Sequence, residues 1–369
     1  MESMRLPLRD CLAGIEPYGA PQLAVAHPLN VNENPYPPSA GMVADITQAV
    51  QAAAAGLNRY PDRDFLALRA ALAGYLAKES GVQVPAENVW AANGSNEVMT
   101  QILQAFGGEG RAVLTSTPSY SMYPEYARDT GTRFLDVPRN ADFTLDLEAI
   151  ARTVAAEHPA VIVLASPNNP TGTALGIEDV RRLADLTAQA GPDGAACVLV
   201  IDEAYGEFRR PGTPSALELL ADYEHLAVSR TMSKAFGMAG LRLGYLAASR
   251  AIIDALMVVR LPYHLSALTQ AAALAAVGHA DEQLAQIGEL RDRRDDLVVY
   301  LRSAGFDVVD SDANFVLFGR FADRHAVFEG MKDRGVLIRE VGPAGYLRVS
   351  VGSAEDDRAF RLALQEVCS

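Results

Sequence analysis

Val198-Leu199-Val200-Ile201-Asp202-Glu203-Ala204-Tyr205 is an unbroken apolar run, largely β-branched, that ends in two acids. Such a run reads as a strand buried on both faces, of the kind found inside a parallel sheet covered by helices. Ala160-Val161-Ile162-Val163-Leu164-Ala165 repeats the pattern and stops at Ser166-Pro167-Asn168-Asn169-Pro170-Thr171-Gly172, where proline and glycine force a tight turn. The proline also drives Asn169, the residue before it, out of the helical region. Further strands at about 111–115, 133–137, 225–229 and 243–248 alternate with helices at 177–190 and from 205 onward. That alternation predicts an α/β fold with a mostly parallel sheet sandwiched by helices. Ligands of such sheets gather at the carboxyl ends of the strands, where Asp202 lies.

The chain has three lysines, Lys78, Lys234 and Lys332, and takes the rest of its 32 basic residues from arginine. Lys234 sits in Ser229-Arg230-Thr231-Met232-Ser233-Lys234-Ala235-Phe236-Gly237, directly after the apolar run that starts at His225. An amine there can lose its proton and condense with a carbonyl, as a guanidinium cannot. Taken alone it reads as a surface charge, like Lys78 near a helix end and Lys332 before Gly335. Asp202 changes that reading, because a carboxylate at a strand end can keep a pyridine nitrogen protonated and make the ring an electron sink. Without Lys234, Asp202 would pass as an N-cap or a solvated strand end. Asn169 and Tyr205 could both donate to a cofactor's phenolate oxygen.

Gly94-Ser95-Asn96-Glu97, Ser166 to Gly172, Asp202 to Tyr205 and Ser233 to Tyr245 follow an order similar to that of the fold type I pyridoxal phosphate (PLP)-dependent aminotransferases. Three further segments, Leu29 to Ser39, Asn58 to Asp62 and Ala91 to Glu97, resemble the histidinol-phosphate aminotransferases, and the likeness runs from about Leu6 to the last helix. The resemblance implies a PLP-dependent transferase with Lys234, Asp202 and Tyr205 as catalytic residues. Ser95 and Asn96 should open a helix toward Val98, Ile102 and Leu103 and aim free N–H groups at an anion, although either could be an ordinary N-cap. By resemblance they bind the cofactor phosphate together with Thr231, Ser233 and Arg242. Tyr120 would cover the ring, and Tyr60 would reach the neighbouring subunit's cofactor, which makes the active unit a homodimer.

Substrate residues implied in the same way are Arg348, Arg339, Asn169 and Tyr18. Arg348 lies in the alternating stretch Gly345 to Gly352, facing the same side as Tyr346 and Ser350, and a guanidinium clamps an acidic group through paired hydrogen bonds. Arg339, beside Glu340, also reads as a solvated strand-end charge. The implied reaction moves an amino group between L-histidinol phosphate and 2-oxoglutarate, giving imidazole acetol phosphate and L-glutamate. An aromatic amino acid aminotransferase shares every cofactor residue, a PLP-dependent decarboxylase of a phosphorylated amino acid also resembles this chain, and a ligand-sensing regulator on this fold would need a DNA-binding segment.

Composition bounds these readings. A chain of 369 residues, 49% hydrophobic and 21% charged, can bury a large core. It divides in expectation into a large lobe at 46–270 and a small lobe of 1–45 and 271–369, the latter including the N-terminal arm. With 46 acids against 32 bases, a net charge of −14, it offers nucleic acid no basic face, and phosphate substrates must be drawn in by local arginines. No stretch has the length of a membrane span and no signal-like segment opens the chain, so a cytoplasmic protein is expected. The six histidines lack paired ligand spacing, so no metal site is expected. Cys11, Cys197 and Cys368 form no CxxC and read as reduced thiols, with Cys197 in the core.

Helix patterns fill the remainder. Asp62 can cap a helix that stops at Gly81, and Asp146 can cap another. Patterns at about 265–279 and 281–304 are helical, with the charge run Arg291 to Asp296 on a solvated face. Strands near 314–318, 336–339 and 347–351 should form a small sheet under helices near 323–334 and 354–367.

Overall fold

A computed structural model describes residues 6–368. Residues 1–5 and 369, the outer ends of the two expected small-lobe segments, lie outside the described residues. The chain begins with β1 (His27–Pro28), α1 (Ala40–Ala54), α2 (Leu66–Ser80), β2 (Val89–Ala92), α3 (Ser95–Phe106), β3 (Ala112–Thr115), α4 (Tyr123–Thr130) and β4 (Arg133–Asp136). It continues through α5 (Leu147–Glu157), β5 (Val161–Ala165), α6 (Ile177–Thr187), β6 (Val198–Asp202), β7 (Leu226–Thr231), β8 (Gly244–Ala248), α7 (Arg250–Val259) and α8 (Ala267–Val277). Last come α9 (Ala280–Ser303), β9 (Asp307–Val308), β10 (Phe315–Gly319), α10 (Arg324–Asp333), β11 (Val336–Leu337), β12 (Tyr346–Ser350) and α11 (Ala354–Val367).

Seven strands form the main sheet in the order β2-β8-β7-β6-β5-β3-β4. The pairs β7–β6, β6–β5, β5–β3 and β3–β4 are parallel, and β8 runs antiparallel to both its neighbours. β5, β6 and β7 are buried along their whole length; the apolar runs of β5 and β6 predict this, whereas β7 also buries Ser229, Arg230 and Thr231. The parallel arrangement brings the ends of these three strands to one edge, so Asn169, Asp202 and Lys234 converge though distant in sequence. The same apolar cluster extends beyond the sheet into α8 and the first half of α9 through Ala273, Ala276, Ile287 and Leu290. A second cluster joins Leu29 to Leu297, Val316, Phe318, Leu347, Val349 and Phe360.

Local signals act as expected at several ends. Asp146 Oδ1 accepts from Ala149 N at 2.8 Å, and Gly81 closes α2 at φ 76°. Asp62 reaches the first N–H of α2 from outside, at Leu66 N, while Phe65 holds the cap position itself.

Four expectations are corrected. No α-helix starts at residue 205; short 3-10 turns at Gly206–Phe208 and Ala216–Leu219 stand between β6 and β7 instead, because Pro211, Gly212 and Pro214 interrupt the backbone. The run from Arg291 to Asp296 is not all solvated, since Arg294 is buried and its Nη1 donates to Phe208 O at 2.6 Å. β11 pairs in parallel with β1 rather than joining β10 and β12, which form their own sheet with β9. Neither Ser95 nor Asn96 caps α3; Gly94 holds that position.

Alternation along β6 and β7 sends neighbouring residues to opposite faces. Asp202 and Thr231 face the cavity described below, while Glu203 and Arg230 enter a buried ion cage. Arg230 Nη2 lies 2.7 Å from Glu203 Oε2 and 3.1 Å from Glu79 Oε2, and its Nη1 lies 3.3 Å from Glu207 Oε1. Arg209 Nη1 adds a contact of 3.0 Å to Glu203. Burial opposes the charge on Glu203, yet Arg209 and Arg230 hold its carboxyl below the usual range. Gly206 makes room for the cage, because a Cβ there would lie 2.8 Å from Arg230 Cζ. Arg230→Met is therefore expected to cost about 3–5 kcal/mol by leaving buried carboxylates unpaired. Urea unfolding would show it, with the loss greatest above the carboxylate titration range; an unchanged midpoint would count against the cage.

Candidate active site

A cavity of about 470 Å³ opens at the carboxyl ends of β5, β6 and β7 and is closed from the other side by the 30–32 segment, Arg339 and Arg348. At its floor the Asp202 carboxylate accepts from Tyr123 OH at 2.9 Å and from Ala204 N at 3.2 Å. Burial pushes Asp202 up to about 6, against the pull of the Tyr123 hydrogen bond. Burial and the adjacent Asp202 also hold the Tyr123 phenol well above its ordinary range, so it stays a donor.

Lys234 follows β7, and its Nζ donates to Val31 O at 2.8 Å. Burial and then the charge of Arg348 bring its amine down to about 8. Tyr205 lies alongside, its ring centroid 5.9 Å from Nζ, and its hydroxyl accepts from Asn32 Nδ2 at 2.9 Å.

One end of the cavity is built for an anion. Ser95 and Asn96 form the first turn of α3, whose leading N–H groups lack helical partners. Arg242 and the helix end approach each other closely because of two glycines. A Cβ on Gly94 would lie 2.7 Å from Arg242 Nη2, and one on Gly244 would lie 2.1 Å from Ser95 N. Gly94 also has φ 85°, which favours glycine. Thr231 Oγ1 accepts from Ser233 N and donates to Ser233 Oγ, both at 3.1 Å, so the two hydroxyls are fixed side by side. Tyr120 closes the side wall, with its OH 3.5 Å from Asn96 Oδ1.

At the opposite end Arg348 donates from Nη1 to Asn169 Oδ1 at 2.5 Å and from Nη2 to Asn30 O at 2.7 Å, while its buried Nε has no partner among the described residues. Burial lowers its guanidinium to about 10. Arg339 pairs with Arg348 through two backbone hydrogen bonds of 2.9 Å, which places both side chains on the cavity wall. Tyr18, 50% exposed, lies at the mouth, where its hydroxyl accepts from Ser121 Oγ at 3.3 Å.

Thus Tyr18, Ser95, Asn96, Tyr120, Asn169, Asp202, Tyr205, Thr231, Ser233, Lys234, Arg242, Arg339 and Arg348 line one cavity. Tyr60 does not; it is 80% exposed and stacks on Tyr263 with centroids 4.4 Å apart. Sequence reasoning missed Tyr123 as the partner of Asp202, and missed Asn30, Val31 and Asn32, which supply groups from a distant segment. No helical spacing announced Tyr123, because Tyr120 lies in the loop before α4 and Tyr123 is that helix's first residue. Nothing local in Asn30-Val31-Asn32 announces contact with Lys234 or Tyr205.

The charge pattern is unusual for a chain of net charge −14. Among the described residues none of Lys234, Arg242, Arg339 and Arg348 forms an ion pair with a carboxylate, and Asp202 pairs with no cation. No group of histidine, cysteine and acidic residues among the described residues could hold a metal ion.

Residues 27–364 match the family model for aminotransferase class I and II. The chain belongs to this aminotransferase family. The aminotransferase is 59% identical to the histidinol-phosphate aminotransferase of Thermobifida fusca, over 97% of this chain and 95% of that protein. It is 56% identical to histidinol-phosphate aminotransferase 3 of Burkholderia lata, over 98% and 96%. Among solved structures, the histidinol-phosphate aminotransferase of Sinorhizobium meliloti in complex with pyridoxal-5'-phosphate superposes with a TM-score of 0.82 at 26% identity, covering 99% of this chain and 98% of that one. A Thermus thermophilus aspartate aminotransferase mutant gives 0.80 at 25% identity, with 98% of each chain covered. The α/β architecture is thus the fold of the PLP-dependent aminotransferases.

Proposed function

We propose that this aminotransferase uses PLP to move an amino group between L-histidinol phosphate and 2-oxoglutarate, giving imidazole acetol phosphate and L-glutamate in histidine biosynthesis. The observation that carries the reading is the set of four cations without carboxylate partners around a single buried acid. Arg348 is buried and Lys234 and Arg339 are half-buried, so their charges gain from a counterpart that the chain does not supply; a phosphorylated pyridine cofactor with an anionic substrate supplies it, and offers the exposed Arg242 a phosphate to bind.

The residues fit the cofactor. Ser95, Asn96, Thr231, Ser233 and Arg242 would hold its phosphate at the glycine-lined end, Asp202 its ring nitrogen, and Tyr120 its ring face. Asn169 and Tyr205 would hold its ring oxygen; the Asn169 oxygen is already engaged by Arg348, which leaves its NH₂ to donate. When bound, PLP supplies an aldehyde that condenses with amines and a ring that accepts the electron pair left at the substrate's α-carbon. Lys234 Nζ, buried and lowered to about 8, takes the α-proton from the amino donor and later returns one to the α-carbon of glutamate. Asp202, held by Tyr123, stays acceptor-only toward the ring nitrogen above pH 6. Arg348 and Arg339 grip a phosphate in one half-reaction and a carboxylate in the other.

The exposed Tyr60 supports a homodimer in which it completes the neighbouring site. No helix among the described residues is long and apolar enough to cross a membrane, and a cytoplasmic location accords with a biosynthetic role.

Steady-state kinetics with 2-oxoglutarate as acceptor test the substrate. We expect kcat/KM for histidinol phosphate to exceed that for phenylalanine, and Arg339→Ala to lower the former by roughly 10–100-fold, the worth of lost hydrogen bonds to a charged group. A preference for phenylalanine would keep the chemistry and transfer the function to aromatic amino acids.

A further inference from the structure

Which atom of the Asn32 amide faces Tyr205 decides what the phenol can do. An amide oxygen there would take the phenol's proton, whereas an amide nitrogen leaves that proton free. The surroundings determine the choice. The backbone N–H of Asn32, which can only donate, points at Ser350 Oγ at 2.9 Å. Ser350 accepts it, and the Ser350 proton has one acceptor among the described residues, Asn32 Oδ1 at 3.0 Å. With Oδ1 engaged, Nδ2 is the atom 2.9 Å from Tyr205 OH.

The position is held from a third side. Asn314 Nδ2 donates to Asn32 O at 3.1 Å, and Asn32 has φ 56°, a left-handed conformation that asparagine tolerates better than most side chains. Asn32, Tyr205, Asn314 and Ser350 are all buried. Tyr205 lines the cavity, and the proton of its hydroxyl has no acceptor among the described residues.

We infer that Ser350 and Asn32 form a relay of fixed donor direction that presents Tyr205 to the cavity as a hydrogen-bond donor, aimed at an anionic oxygen of the bound cofactor. This rests on the PLP reading above. Ser350 does not line the cavity and acts only through Asn32, as a positioning residue. It stands on β12, the strand that also carries Arg348, so the substrate clamp and the donor share one support.

The test is the pH titration of the visible absorbance of the PLP-loaded protein. A donor at the anionic oxygen stabilises its charge and makes the conjugated chromophore release its proton at lower pH. Tyr205→Phe is expected to raise the midpoint by about one pH unit, the worth of one hydrogen bond. Ser350→Ala should raise it by part of that amount, and Ser350→Thr, which keeps the hydroxyl, should restore it. In the Tyr205→Phe background Ser350→Ala should add nothing, because the relay then has no receiver. If calorimetry shows that Ser350→Ala has lost its fold, Asn32→Ala carries the same comparison.

A midpoint that ignores Ser350→Ala while Tyr205→Phe moves it would overturn the relay and leave the cofactor reading intact. An equal shift in both backgrounds would also overturn it, by showing a general effect on the site. A wild-type protein that acquires no such absorbance with PLP would overturn the cofactor reading, and the relay with it.

Discussion

Replacing Lys234 by alanine is expected to lower turnover of histidinol phosphate with 2-oxoglutarate by roughly 10⁴-fold or more, the upper range for a positioned proton-transfer group. Nζ is the only amine on the cavity wall among the described residues, and the guanidinium groups around it stay protonated and cannot replace it. Single-turnover kinetics would measure the loss, and added methylamine should restore part of it by occupying the vacated space. Lys234→Arg should stay inactive and unrescued, which separates loss of a base from loss of charge. An alanine variant within tenfold of wild type would remove Lys234 from the chemistry.

A pH dependence follows from the same side chain. Burial and Arg348 lower the amine to about 8, so the neutral, nucleophilic form grows as pH rises through that value. The rate at which cofactor-free protein captures PLP should rise correspondingly. A flat profile between pH 7 and pH 9 would contradict the lowered amine.

Asp202→Asn should separate activity from stability. Loss of the carboxylate is expected to lower kcat by roughly 10²–10³-fold, the usual cost of removing a preorganised electrostatic partner. Stability of the cofactor-free protein should move the other way. The carboxyl titrates at about 6 in the fold and near 3.9 when unfolded, so between those values the folded state binds more protons and stability falls as pH rises. Above pH 6 the charged, unpaired Asp202 costs on the order of 3 kcal/mol. Asp202→Asn should therefore melt higher than wild type above pH 6, and the difference should vanish below about pH 4. An equal or lower melting temperature at pH 8 would show that the acid is not destabilising where it stands.

Much of this site was legible because the sheet strands are apolar throughout and the chemistry lies at their ends. Val198 to Asp202 and Val161 to Ala165 declare both the strand and its terminus, so Asp202 and Asn169 could be placed from sequence alone. The outer elements were harder. β2 was not read as a strand because Val89 to Ala92 runs directly into the Gly94 turn. α7 escaped notice because its start depends on a cap at Ser249 directly after β8. Arg294 read as solvated because five charged neighbours surround it in sequence, whereas the tertiary fold buries it against the 208 turn. Asn32 was invisible as a site residue because its partners, Tyr205, Asn314 and Ser350, come from three distant segments.

The alternation along β7 has a consequence for how this protein can tolerate change in length. One face of the strand carries Thr231 into the cavity and the other carries Arg230 into the ion cage. Loss of a single residue within β7 would exchange the faces, putting a guanidinium among the cofactor ligands and a hydroxyl among three buried carboxylates. Substitutions there can be graded, but an insertion or deletion has no mild form. The exposed stretch Asn140 to Asp142 carries neither face, and lineages of this chain should vary in length there long before they do in β7.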